Sequence, residues 1–174
     1  MKEAQDALFV KLFSEHRQPI YHYLYRLLGS FEAAEDVLQD VFVKAYGALP
    51  GLDAESNYKA WLYRIATNTA RDYFRRQKLR QWLPLRDEDE SSHEMADQGY
   101  AGESAGAPPE LSIDVQRALE KLPVKYREVL LLYGVQELST VEIASALGIG
   151  QSAVKMRLLR ARELFRQVYD EAEK

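Results

Sequence analysis

Cysteine is absent from the 174 residues, which excludes disulfides, thiolate zinc sites and a cysteine nucleophile. Histidine is scarce, and His16, His22 and His93 stand apart in no metal-ligand spacing. No apolar run approaches the ~20 residues a bilayer-spanning helix needs, and the opening MKEAQDALF lacks a signal-peptide core. A soluble cytoplasmic protein, with no membrane insertion and no metal or other cofactor, is the expectation. Strand-like alternation is missing too. Gly and Pro fall mostly at the ends of periodic stretches, so the expected fold class is all-α. No nucleophile–base pair or phosphate loop can be found, and no enzymatic activity is expected.

Basic residues are missing from one segment. Residues 87–110 hold eight acids and no Lys or Arg, and the segment is rich in Gly, Ala, Ser and Pro. Residues 1–86 carry thirteen Lys/Arg against ten Asp/Glu, and residues 111–174 carry ten against nine. The net charge of −4 therefore resides in the middle segment. Such a stretch has little to bury and reads as a flexible acidic linker. Three parts are expected: an N-terminal bundle of three or four helices (1–86), the linker (87–110) and a C-terminal helical domain (111–174).

In the first part, Phe9, Leu12, Phe13, Ile20, Leu24, Leu27 and Leu28 recur at helical spacing, with Pro19 expected to kink or break the helix. Gly29 ends it and Ser30 caps the next. In that next helix Val37, Leu38, Val41, Phe42, Ala45 and Tyr46 form a buried stripe. Glu32, Glu35, Asp36, Gln39 and Asp40 form an acidic one. No Glu-x-x-His pair accompanies them, so a carboxylate-bridged metal is not expected. A solvated face and a docking surface for a basic partner both remain open.

The stretch WLYRIATNTARDYFRRQKLR, Trp61 to Arg80, is both aromatic and cationic. Leu62, Ile65, Ala66, Thr69 and Tyr73 share one helical face, which must be core. Trp61, Arg64, Asn68, Arg71 and Arg75 share another, and Arg76, Lys78 and Arg80 extend its positive end. Arg contacts phosphate, Trp offers a base a stacking surface, and Asn can bond a base edge. That set suits single-stranded nucleic acid; a core Trp beside a solvated basic end is the plainer alternative.

The C-terminal part carries a sharper pattern. Pro123 is placed to begin the helix VKYREVLLLYG, and STVE from Ser139 to Glu142 is a capping box. A short helix burying Ile143, Ala144 and Leu147 closes at Gly148, and the chain turns into a longer helix. This is a helix-turn-helix pattern. Val154, Leu158, Ala161 and Phe165 face inward, while Ser152, Lys155, Met156, Leu159 and Arg160 face outward, flanked by Arg157 and Arg162. In such motifs the start of the second helix enters the major groove and distal arginines grip phosphates. A purely structural helical hairpin is the alternative.

Together these stretches resemble the bacterial extracytoplasmic-function (ECF) sigma factors of the minimal two-domain kind. AAEDVLQDVFVKAY resembles the family's polymerase-docking helix, YKAWLYRIATNTARDYFRR its helix for the downstream (−10) promoter element, and LPVKYREVLLLYGVQELSTVEIASALGIGQSAVKMRLLRARELF its domain for the upstream (−35) element. The resemblance implies a transcription-initiation subunit that binds core RNA polymerase, directs it to promoters and promotes melting. It implies that Glu35, Asp36, Gln39 and Asp40 meet a basic coiled coil on the polymerase clamp, and that Asn57 lies near a flipped base of the non-template strand. Trp61, Arg64, Asn68, Arg71 and Arg75 would face that strand and the duplex just upstream, and Lys155, Arg157 and Arg160 the upstream element. It also implies an anti-sigma partner. The family often carries a small polar residue where Met156 stands, and Ser or Pro near Gly150. Both departures bear on upstream sequence preference and not on the fold.

Physical magnitudes agree with a role that depends on a larger machine. Opening three or four base-pair steps costs roughly 5 kcal/mol, at ~1.4 kcal/mol each. Each base caught on an aromatic surface returns ~1–3 kcal/mol. One small helix offsets much of this cost but not all of it. The tether, if flexible, spans ~25–30 Å, against ~70 Å for two turns of DNA. It is expected to act as a passive spacer or, as the family resemblance implies, to thread the polymerase's RNA channel. A competing reading is an autonomous helix-turn-helix regulator whose N-terminal half senses a signal or dimerises.

Overall fold

A computed structural model describes residues 1–82 and 112–172; the expected linker, 87–110, lies outside the described residues. Among the described residues all regular structure is helical, as expected. The α-helices are α1 (Lys2–Leu28), α2 (Phe31–Ala48), α3 (Tyr58–Trp82), α4 (Ile113–Lys121), α5 (Val124–Gly134), α6 (Thr140–Leu147) and α7 (Gln151–Ala172), with a 3-10 turn at Leu49–Gly51.

Of the kink or break expected at Pro19, the break does not occur: α1 runs on through it. Pro19 and Glu15, whose carbonyl loses its helical partner, are both exposed, so water can satisfy that group. Ile20, Tyr23, Leu24 and Leu27 just beyond it are completely buried. Burying such side chains returns ~1.5–3 kcal/mol each, against ~3 kcal/mol for an interior proline. Packing therefore carries the helix through. Gly29, at φ 75°, takes the left-handed conformation and donates its N–H to Tyr25 O. Ser30 then caps α2, accepting from Ala33 N at 3.3 Å.

Helices α1, α2 and α3 pack on one another. Ala33, Ala34, Ala45, Ala66 and Ala70 are buried, and their small side chains let the helices approach closely. Inside, the Tyr23 and Tyr63 rings meet edge-on at 5.4 Å, and the Tyr23 hydroxyl shares a 2.8 Å hydrogen bond with Thr67 Oγ1. Burial pushes both phenols up from their usual range. Tyr46 is not part of the buried stripe as expected, being 37% exposed. Its ring packs edge-on against Phe9 while its hydroxyl donates to Asp6 Oδ1 at 2.8 Å, which keeps the polar tip near water.

In the second unit the capping box forms as read: Glu142 N donates to Ser139 Oγ at 3.1 Å, and Ser139 N donates to Glu142 Oε2 at 2.8 Å. Gly148 closes α6 at φ 64°, and α7 starts at Gln151, completing the helix-turn-helix. Val154, Leu158 and Ala161 anchor α7. Ala146 takes the fully buried position expected for Ala144, which is half-buried.

The two units also pack against each other, with α1 on α4 and α5, and α3 on α6. Arg127, on α5, reaches across to Leu27 O and back to Glu120 O (2.7 Å) and Leu122 O (3.0 Å). Desolvation there lowers its affinity for its proton. Gln116 donates to Arg26 O at 3.3 Å. One continuous apolar cluster runs from Leu12 to Ala161.

Candidate nucleic-acid interface

The buried face of α2 fixes what its other face presents. With Ala33, Ala34, Val37, Leu38 and Val41 inward, Glu32, Glu35, Asp36, Gln39 and Asp40 are all exposed. Glu32 lies in the first turn of the helix, where its dipole favours negative charge. The structure thus brings the expected docking residues Glu35, Asp36, Gln39 and Asp40 onto one outer face.

On α3 the expected nucleic-acid residues divide. Arg64, Asn68, Arg75, Arg76 and Lys78 are exposed. Arg75 pairs with Asp72, which also lies 3.9 Å from Lys44. Trp61 is half-buried and packed against the core, so only part of its ring is available for stacking. Arg71 is engaged: its Nε and Nη2 donate to Glu128 Oε1 and Oε2 at 2.8 and 2.6 Å, and this bidentate pair holds its pKa up. Asn57 is engaged twice. Its Oδ1 accepts from Ala60 N at 3.0 Å, capping α3, and its Nδ2 donates to Glu142 Oε1 at 3.1 Å.

On α7, Ser152, Lys155, Met156, Leu159, Arg160 and Arg162 are exposed, and Arg157 is half-buried. Met156 and Leu159 are each 52% exposed among these cations, an arrangement able to meet thymine methyl groups as well as phosphates. The Arg160 guanidinium lowers the pKa of the Tyr126 phenol. Arg162 stacks over the Tyr133 ring at 5.2 Å. The exposed cationic face of α7 thus starts at the turn, and α5 packs beside its distal part.

Sequence reasoning missed Lys59, Tyr63, Arg127, Glu128 and Gln136. Tyr63 OH donates to Gln136 Oε1 at 2.5 Å, and Lys59 Nζ donates to Gln136 O at 3.1 Å. The available signal was Arg127-Glu128, two opposite charges within the largely apolar helix VKYREVLLLYG. Such charges are almost never fully buried unless paired, so they point to partners elsewhere in the fold.

Residues 12–80 match the Sigma-70 region 2 family, and residues 112–165 match Sigma-70, region 4. Over 170 residues the chain is 36% identical to the ECF RNA polymerase sigma factor SigW of Bacillus subtilis, covering 95% of this chain and 90% of SigW. The structure of CnrH in complex with the cytosolic domain of CnrY is similar at TM-score 0.67 and 27% identity, covering 95% of this chain and 90% of CnrH. The sigma factor RpoE from Bartonella quintana, in complex with the anti-sigma factor NepR, shares the fold at TM-score 0.72 and 22% identity. That match covers 93% of this chain and 96% of RpoE. With both sigma regions present in order on one helical chain, the protein belongs to the ECF family of RNA polymerase sigma factors.

Proposed function

We propose that this sigma factor works in the cytoplasm by joining core RNA polymerase through α2, reading the upstream promoter element with α7 and holding the melted downstream strand on α3. The observation that carries the reading is the sorting of charge onto three outward faces: acidic on α2, and cationic on α3 and α7. Glu35, Asp36, Gln39 and Asp40 dock on a basic surface of the polymerase. Ser152, Lys155, Met156, Arg157, Arg160 and Arg162 form the upstream reader. Asn57, Trp61, Arg64, Asn68, Arg71, Arg75, Arg76 and Lys78 serve the downstream element. The functional division is then 1–86, 87–110 and 111–174, with polymerase supplying the chemistry. An anti-sigma partner is part of the proposal, supported by CnrH and RpoE, each solved with a bound protein.

Reversing charge at Asp36 and Asp40 tests the docking role. Both are exposed, so stability should change by no more than about 0.5 kcal/mol. Affinity for core polymerase should fall about tenfold or more and become less salt-dependent. Unchanged affinity in a folded variant would remove α2 from the interface.

A further inference from the structure

Opposite the buried row of Val154, Leu158 and Ala161, the outermost ridge of α7 is Ser152, Met156 and Leu159, at spacings of four and three. Lys155 flanks this ridge on one side and Arg160 on the other, both exposed. Glu163, next along the ridge, is exposed and anionic, which marks where contact with a polyanion ends. The start of the helix is held in place. Gln151 Nε2 donates to Thr140 Oγ1 at 2.8 Å, tying α7 to the start of α6, and Val154 is completely buried.

Met156 and Leu159 are each 52% exposed, and neither belongs to the apolar cluster among the described residues. Apolar side chains scattered singly over a surface are ordinary. Two in succession along the crest of a helix flanked by cations are another matter, because packing does not require them and solubility opposes them.

We propose that Met156 and Leu159 read the C5-methyl groups of thymines on neighbouring base pairs of the upstream element. In the major groove thymine alone presents a methyl group, and an apolar side chain distinguishes it by contact. Neither a thioether nor an isobutyl group has a donor for guanine or adenine N7, so the crest cannot read those bases by hydrogen bonding. Residues three apart rise ~4.5 Å along a helix, against ~3.4 Å for a base-pair step, so the two side chains reach adjacent pairs. Lys155 and Arg160 grip the phosphates on either side of the crest. The inference rests on the reading of α7 as the upstream reader, and it adds which chemical group of the DNA is read.

Holoenzyme assembled from core polymerase and this chain is used to select binders from a pool of promoter-length random duplexes. Each thymine of the selected upstream element, on either strand, is then replaced singly by deoxyuridine, which removes the methyl and keeps the pairing edge. At two adjacent base pairs this should weaken holoenzyme binding about fourfold, the worth of one buried methylene-sized group. Met156→Ser should abolish the effect at one of these positions and Leu159→Ser at the other. Both side chains are exposed, so the variants keep the fold. A selected element with no methyl-sensitive position would overturn the inference and leave the upstream reading standing, as would sensitivity that persists in full in both variants. A selection that yields no upstream consensus would remove the upstream reading and the inference with it.

Discussion

Glu142 accepts from Ser139 N at 2.8 Å and from Asn57 Nδ2 at 3.1 Å, so one carboxylate serves both the start of α6 and the contact between the units. The Ser139 backbone bond, then Asn57, holds its pKa below the ordinary 4.5. A depressed carboxylate pKa stabilises the fold above the unfolded-state value, and that contribution disappears as pH falls through the folded-state value. Below about pH 4.5 the wild-type protein should lose stability faster than Glu142→Gln, as urea unfolding at a series of pH values would show. Parallel pH profiles would mean that the carboxylate does not act through these bonds. The capping box itself was legible, because Ser-x-x-Glu is a local geometry. The second partner of Glu142 was not, since Asn57 lies 85 residues away in sequence. Trp61 shows the same limit. Helical periodicity places it on the cationic stripe, yet a large ring at the edge of that stripe also reaches the core.

At the scale of elements, the sequence reading succeeds where one helix answers to one period. The acidic face of α2, the inward row of α7 and the glycine closures at Gly29 and Gly148 follow from 3.6-residue spacing and cap chemistry. The break allowed at Pro19 does not occur, because the proline rule concerns an isolated helix while Ile20, Leu24 and Leu27 are buried in the packed core. For α3 the structure separates residues whose loss disturbs packing from those whose loss does not. Arg64 and Asn68 are exposed, whereas Trp61 is packed. Replacing Arg64 and Asn68 together by alanine should therefore preserve stability within about 0.5 kcal/mol. With polymerase, the variant should reduce permanganate reactivity of the melted strand more than it reduces promoter occupancy. Equal loss of both would assign these residues to recruitment.

The whole molecule departs furthest from what the sequence allowed one to foresee. Two outward cationic faces and an acidic segment between them describe separable modules. Yet Arg127, Glu128 and Gln136 bind α1 and α3 through groups whose partners lie 57 to 100 residues away. Long-range pairs of this kind leave no periodic trace. On the proposed function, spacing matters at this scale: two small cationic surfaces are set apart on promoter DNA, and one holds a strand that costs roughly 1.4 kcal/mol per step to expose. Since one small helix offsets only part of that cost, the proposed function has the polymerase share it. Run-off transcription with purified core enzyme on a pool of promoter fragments from the source genome measures this most directly. The account predicts discrete transcripts that require both core enzyme and this chain. Core enzyme yielding the same transcripts with and without the chain would contradict it.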